Sequence, residues 1–519
     1  VTPRSSQRRD DILFGAALLI GLLTLWRTAF IESHWDEDSG VAIGWLLSKG
    51  WKLYSDVFSH HMPLDYIPSW AISCLFGPSP QLCRAFMVAL WAAVCCSLWR
   101  LGRASREGAN AAALFTLLSS QWVTFWMGQM LLVENIWGYI VVLLLVLIEA
   151  ETSALLAAAS GTLLAVLLCS SLTCAPAFAL LLAAFLRRPG WRKFWRLLAG
   201  GFSAWLVLFG LWSWRHADLS LWFEDAVRFN AWSYAYFSGL TPGAPTSGLF
   251  LQALGRNLYY FASILHWDNL EQYFEGILRL AFLGYIAWQA FQRRWLDAVW
   301  WALLILALRL RPEHFRYTPP FHSAPFFLAA AWLLSREVVL VWDTLAKRSK
   351  RWACGWAAAC AFFLAATIVP TSWATLSLSV YDRPSEGSLW VLNAVKQGTD
   401  PNDAITVLPS YPKLYVDSAR VPATPSVFYL PWQAAWPEQH ARTMEALESH
   451  APKLVIVLET TIWGIPWQQF AGDIDAWIRV YYRPVMAPAR IDKIAGAQLW
   501  VRSDYAEEFQ RRVPDATIE

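Results

Sequence analysis

Ile12–Ile31 reads ILFGAALLIGLLTLWRTAFI, an apolar run broken only by Arg27, and just beyond it the chain turns acidic in Trp35–Asp38, WDED. About 20 apolar residues are enough to cross the hydrocarbon core of a bilayer, so this run is expected to span. It follows Arg4, Arg8 and Arg9, and no small-residue cleavage site comes after it. That pattern predicts a retained signal anchor rather than a removed signal peptide.

Similar runs recur outward from this one. They are Cys83–Leu101, Ala109–Met127, Met130–Glu149, Leu155–Ser170, Thr173–Leu186, Phe194–Trp214, Gly276–Phe291, Asp297–Leu310, Phe321–Trp342 and Trp352–Trp373. The two between Leu155 and Leu186 could also form one long buried hairpin. Counting them separately predicts roughly eleven spans. With the N-terminus inside, five basic clusters fall on one side: Arg4/Arg8/Arg9, Arg100/Arg103/Arg106, Arg187/Arg188/Arg192/Lys193/Arg196, Arg293/Arg294 and Lys347/Arg348/Lys350/Arg351. The positive-inside rule makes that side cytoplasmic. The loops Glu32–Leu82 and Arg215–Glu275 then face outward, as does the tail. The expected location is the plasma (inner) membrane, multi-pass, with a periplasmic or extracellular C-terminal domain.

Composition agrees. Of 519 residues, 56% are hydrophobic and 16% charged, against about 25% charged in soluble domains. The 34 Trp suit a large membrane–water interface. A net charge of +3 gives no argument for a nucleic-acid partner. The eight Cys lie in or beside apolar stretches, none with convincing zinc spacing, and are read as small buried hydrophobes.

In the first outer loop, Val41–Lys49 and Leu64–Phe76 are apolar but too short to span. They are expected to lie as helices in the interface, with Asp38 or Ser39 capping the first. After Pro370 the long apolar runs stop. Ala404–Leu408 and Leu454–Leu458 suit buried parallel strands, Gln439–Ser449 has helical spacing, and Gln498–Arg502 is a third candidate strand. The predicted architecture is a mainly α-helical polytopic membrane domain over 1–375 and a small extracytoplasmic α/β domain over 376–519.

The first outer loop also concentrates ionisable groups beside the membrane: Glu32, His34, Asp36, Glu37, Asp38, Asp56, His60, His61 and Asp65. Such groups cost free energy there unless paired or used. From Trp35 to Tyr66 the chain contains WDEDSG, then GWKLYSD, then HHMPLDY. This series resembles the first outer loop of the GT-C superfamily, membrane glycosyltransferases that use polyprenyl-phosphate sugars, such as aminoarabinose transferases and protein O-mannosyltransferases. The matching positions are the acidic pair Asp36/Glu37, the Gly50…Tyr54-Ser55-Asp56 segment and Pro63-Leu64. Arg84 opens the next span as an Arg does in the family. Glu134-Asn135 sits like the family's second acidic site, and Arg311–Pro325 resembles the loop before a late span. Asp403–Leu408, Tyr411–Tyr415 and Pro452–Val457 resemble the outer α/β domain of bacterial members. Two departures stand out. His61-Met62-Pro63 replaces the Lys-Pro-Pro of many members, and Ser170–Cys174 lacks the Lys found in the break between the fifth and sixth spans.

The resemblance implies an inverting transfer of sugar from a polyprenyl-phosphate donor to a glycan, lipid or protein acceptor. Asp36 would be the general base and Glu37 would orient the acceptor. Tyr54, Asp56, His60, His61, Arg84, Glu134, Arg311, His314 and Arg316 would bind substrate, with cations meeting the charge on the leaving phosphate. Each has an alternative reading. Arg84 could snorkel at a helix end, Arg311 and Arg316 could anchor a loop on headgroups, Glu134 could sit in an internal ion pair, and His314 and His322 read as structural. His60 and His61 with an acid could hold a divalent metal ion, although adjacent residues of a strand point opposite ways. Two other functions compete. A transporter is disfavoured by the absence of a repeat between halves. A non-catalytic subunit beside other membrane subunits would keep the fold without the activity.

Overall fold

The computed structural model describes residues 3–30, 34–103, 106–237, 270–309, 320–377, 386–458, 460–462, 464–488 and 497–519. Each expected span overlaps one long helix, although Ala109–Met127 runs past the helix end at Gln121 into a short turn at Val123–Trp126. In chain order these helices are Pro3–Thr28, Pro80–Gly102, Arg106–Gln121, Val133–Glu149, Ala154–Ser170, Ala175–Arg187, Trp195–His216, Leu270–Phe291, Trp295–Arg309, Ala324–Arg348 and Lys350–Ser377. By length and composition, four helical stretches are long and apolar enough to cross a membrane: Arg8–Thr28, Pro80–Gly102, Trp195–His216 and Phe321–Arg348. Ala154–Ser170 and Ala175–Arg187 are two helices joined by a tight turn at Leu172–Cys174.

The chain divides into two compact units. The first comprises Val1–Glu32, Gln81–Leu211 and Pro245–Val380, and it is helical. Val133–Glu149 is buried along nearly its whole length, and it packs beside Ala324–Arg348, whose first half is buried as well. An apolar sequence all round a helix suits that central position. Lipid is as apolar as Leu, so helices in such a bundle gain by close approach through small residues. Gly161 and Gly201 do this. A Cβ on either would collide with the opposite backbone, and Thr162 Oγ1 donates to Gly201 O at 3.3 Å across the crossing.

The second unit gathers Ser33–Pro80, Trp212–Ala244 and Tyr381–Glu519. Its strands are β1 (Ala404–Leu408), β2 (Val421–Pro422), β3 (Leu454–Leu458), β4 (Thr461–Ile462), β5 (Ile465–Pro466), β6 (Tyr482–Met486), β7 (Ala497–Arg502) and β8 (Thr517–Ile518). The main sheet runs β2-β1-β3-β7-β6-β8. β1 and β3 pair in parallel, with Thr406 opposite Val455, as their apolar sequences predict. β3–β7, β7–β6 and β6–β8 are antiparallel, so the sheet is mixed rather than parallel throughout. A parallel neighbour needs a long crossover, and β6 and β7 are too close in sequence for one. Both faces of the sheet are buried. Ile405, Val407, Leu454, Ile456, Leu499 and Val501 point to one core, which also contains Ile43, Leu46, Tyr54, Phe58 and Phe229 from the segments Ser33–Pro80 and Trp212–Ala244 of the same unit. Val455, Val457 and Trp500 point to the other, with Leu447, Ile474 and Ile478.

Two expectations for the first outer loop are corrected. The helix starts at Trp35, not Val41, and its cap is His34 rather than Asp38 or Ser39. The three acids therefore occupy its first turn, where the helix dipole favours negative charge. Val41–Leu47 are buried in the core of the second unit. The following segment begins with a short turn at Pro63–Tyr66 and becomes the helix Ile67–Phe76, whose end exposes Leu75 and Phe76.

Candidate functional site

The helix Trp35–Ser48 brings the acidic pair into one turn. Asp36 is partly exposed, and Glu37 is fully buried. His34 faces Asp36 twice: Nδ1 accepts from the Asp36 N–H at 3.3 Å, and it lies 3.3 Å from Asp36 Oδ2. One nitrogen cannot accept from an N–H and donate a proton to the carboxylate together. A neutral His34 with its proton on Nε2 caps the helix, and a protonated His34 pairs with Asp36.

The same helix ends at Gly50, φ +93°, where the Gly50 and Trp51 N–H groups donate back to Leu47 O and Leu46 O. A left-handed glycine after a helix is the usual way to close it. In the turn that follows, Asp56 Oδ2 accepts from Lys52 N–H at 2.8 Å, while Lys52 O accepts from Asp56 and Val57 N–H. Tyr54 stands at φ +75°, which carries its ring inward, and its hydroxyl donates to His61 O at 2.8 Å. Burial raises the Tyr54 phenol, with Tyr66, Asp65 and Asp225 adding to it. The phenol thus stays protonated and able to donate. Gly50, Tyr54 and Asp56 shape the loop, and Asp56 itself is exposed.

Around His61 the loop folds on itself. Ser59 Oγ accepts from His61 N–H at 3.0 Å and lies 2.6 Å from Tyr66 Oη. His61 Nδ1 is 3.1 Å from Asp65 Oδ2. Burial raises the Tyr66 phenol, and Asp65 and then Asp36 raise it further while Ser59 opposes them. The His60 and His61 rings sit 4.1 Å apart, tilted at 42°, rather than pointing opposite ways. His60 O accepts from Asn230 Nδ2 at 2.6 Å, which ties the second outer loop to the first. Among the described residues no group of three or more His, Cys, Asp or Glu is arranged to hold a metal.

Sequence reasoning missed an ion pair that holds a buried carboxylate of this unit. Asp225 lies on a π-type widening at Phe223–Arg228 and is 2% exposed. Arg442 Nη1 donates to its carboxylate at 3.2 and 3.3 Å, and Arg442 Nη2 donates to Tyr54 O. Burial pushes the Asp225 carboxyl up to about 6 despite Arg442. No periodicity connects residues so far apart, so no sequence signal marked them.

Arg84 and Glu134 belong to the helical unit. Arg84 is buried, and its Nη1 donates to Ala29 O at 3.2 Å, at the end of the first helix. A guanidinium there satisfies a terminal carbonyl. Glu134 is buried in the first turn of Val133–Glu149, 4.0 Å from His322 Nε2. Its neighbour Asn135 donates to Met127 O at 2.9 Å and Met130 O at 3.1 Å, fixing the chain before the helix. Arg311, His314 and Arg316 lie outside the described residues.

No family model and no curated protein matches this sequence. Solved structures do match. ArnT from Cupriavidus metallidurans in the apo state aligns over 94% of this chain and 97% of its own, with 12% identity and a TM-score of 0.51. The same protein bound to undecaprenyl phosphate aligns over the same shares at 12% identity and a TM-score of 0.53. The Archaeoglobus fulgidus oligosaccharyltransferase, tethered by a disulfide to an acceptor peptide containing the NVT sequon, aligns over 95% of this chain and 74% of its own, at 13% identity and 0.51. Identities this low speak to architecture alone, and what they establish is that this largely helical chain, with its small α/β region, shares the overall fold of these solved structures.

Proposed function

We propose that the chain is an integral membrane glycosyltransferase that moves a sugar from a polyprenyl-phosphate donor to an acceptor on the outer face of the membrane. The observation that carries this reading is the fold shared along 94% of the chain with ArnT bound to undecaprenyl phosphate. The acidic turn at the start of Trp35–Ser48 supports it. The Asp36 carboxylate takes the proton of the acceptor hydroxyl as that oxygen attacks the anomeric carbon. The bond from that carbon to the phosphate oxygen breaks in the same step, and the sugar inverts. Glu37 orients the acceptor. The leaving phosphate gains charge, which cations stabilise; Arg84, Arg311, Arg316 and His61 are the candidates. Tyr54 and Asp56 hold the loop that presents His60 and His61. Eleven spans, a cytoplasmic N-terminus and an outward second unit complete the proposal.

One observation favours a second reading. The family's lysines are absent at His61-Met62-Pro63 and Ser170–Cys174, which suits a non-catalytic subunit. The test uses the full chain in lipid with a panel of polyprenyl-phosphate sugars and native membrane extract as acceptor. Release of polyprenyl phosphate supports transfer. No release from any donor by folded protein sinks the enzyme reading and leaves the subunit.

A further inference from the structure

The helical unit contains a cavity of about 280 Å³ that the proposed chemistry does not use. It lies where Val133–Glu149 and Ala175–Arg187 end and Trp295–Arg309 begins. Glu134 stands at the other end of Val133–Glu149, and fifteen residues of helix rise by about 22 Å. The cavity is therefore a separate site.

Its charges do not balance internally. Arg187, Arg188 and Arg294 line it, together with Glu149 and Asp297. Glu149 is already neutralised from behind by Arg336, at 2.8 Å. Asp297 is 4.0 Å from Arg187. Arg188 and Arg294 have no side-chain hydrogen bond or ion pair among the described residues. Arg187 and Arg188 at the end of one helix also offset its terminal carbonyls. Arg294 stands between two helix ends: its N–H donates to Gln289 O past the end of Leu270–Phe291, and it precedes the first turn of Trp295–Arg309, where a cation meets the positive end of the helix dipole. A bound anion would offset that second contact and the excess positive charge of the cavity.

The surroundings say what kind of anion. Tyr285 and Trp301 pack edge to face at 5.1 Å to form an aromatic wall. Phe291, Trp295 and Leu296, close by in sequence, are 64–78% exposed. A polar, arginine-lined cavity flanked by exposed apolar side chains matches a phosphate group carried on an acyl-chain lipid. Basic pockets between membrane helices bind such headgroups. We infer that this cavity binds the phosphate of an anionic lipid through Arg188 and Arg294, at the end of the bundle away from Glu134.

The test uses the full chain, with native mass spectrometry counting the phosphatidylglycerol retained from mixed phosphatidylcholine micelles. Inorganic phosphate is titrated in a parallel arm. Wild type should retain one phosphatidylglycerol that Arg188→Gln/Arg294→Gln loses, with apparent affinity falling about ten- to a hundredfold for two lost charge-assisted contacts. Ala184→Trp fills the cavity and leaves every charge in place. It should lose the lipid too, which covers the case where the double variant fails to fold. Lys350→Gln/Arg351→Gln removes equal charge from a helix that does not line the cavity and should change nothing. If only inorganic phosphate binds, with the same dependence on Arg188 and Arg294, the phosphate site stands and its ligand is soluble. Equal losses in both charge variants, or no bound phosphate of either kind, would overturn the inference.

Discussion

Asp36 and Asp56 lie in the same loop between the first two long helices, yet the structure uses them differently. Asp56 turns a carboxylate oxygen back on Lys52 N–H and closes its own turn. Asp36 sits in the first turn of a helix that His34 caps, its carboxylate partly exposed and facing the His34 imidazole. An acid within reach of a pattern is not thereby a catalytic acid. What distinguishes the two is whether the carboxylate is already committed to backbone. Asp225 makes a third case, a buried carboxylate committed to Arg442, which in turn holds Tyr54 O in the turn that Asp56 closes.

The largest expected effect on the structural side comes from Arg442→Met. It leaves Asp225 buried without its cation and frees the Tyr54 carbonyl, so unfolding stability at neutral pH should fall by about 3–5 kcal/mol. A drop in the thermal midpoint as small as that of a surface variant would remove Arg442 from the account. The pH dependence comes next. The folded Asp225 carboxyl titrates near 6, against an ordinary value of 3.8. A raised value means that the folded state holds the proton more tightly. The associated stability is full below pH 3.8 and is lost as pH rises through about 6, a change of about 3 kcal/mol at most. Thermal midpoints measured from pH 4 to 7 should show this slope in wild type, and Asp225→Asn should flatten it. Asp56→Ala should cost about 1 kcal/mol, the size of one backbone-satisfying hydrogen bond, with transfer activity within a few-fold of wild type. A collapse of activity with stability intact would make Asp56 part of the chemistry and erase its contrast with Asp36. Least is expected of His34→Ala, about 0.5–1 kcal/mol for a lost helix cap, read as a small drop in midpoint.

Much of the fold was legible because its signals are local. Long apolar runs produced helices one for one, and the LVIVL of Leu454–Leu458 announced a strand buried on both faces. Tyr482–Met486, YRPVM, was not legible. Arg483 and Pro484 break the pattern, and the strand forms only because Ala497–Arg502 and Thr517–Ile518 pair with it. The start of the first outer helix was misread because acids resemble a loop. They suit a first turn instead, since the dipole there favours them. In the site, Asp36, Glu37 and the paired histidines were legible as residue types gathered in one loop. The contacts that hold them were not. Asn230 reaches His60 O and Arg442 reaches Asp225 from distant parts of the chain, through a core that only the folded sheet assembles.

The most direct test of glycosyl transfer with Asp36 as its base compares Asp36→Asn with Asp56→Asn. Both are purified in lipid, preloaded with a polyprenyl-phosphate sugar that wild type accepts, and followed through one turnover for release of polyprenyl phosphate. The account predicts that Asp36→Asn slows release by about 10²–10⁴-fold, the usual contribution of a general base, with its thermal midpoint unchanged, while Asp56→Asn stays within a few-fold of wild type. Release by Asp36→Asn at the wild-type rate would contradict it.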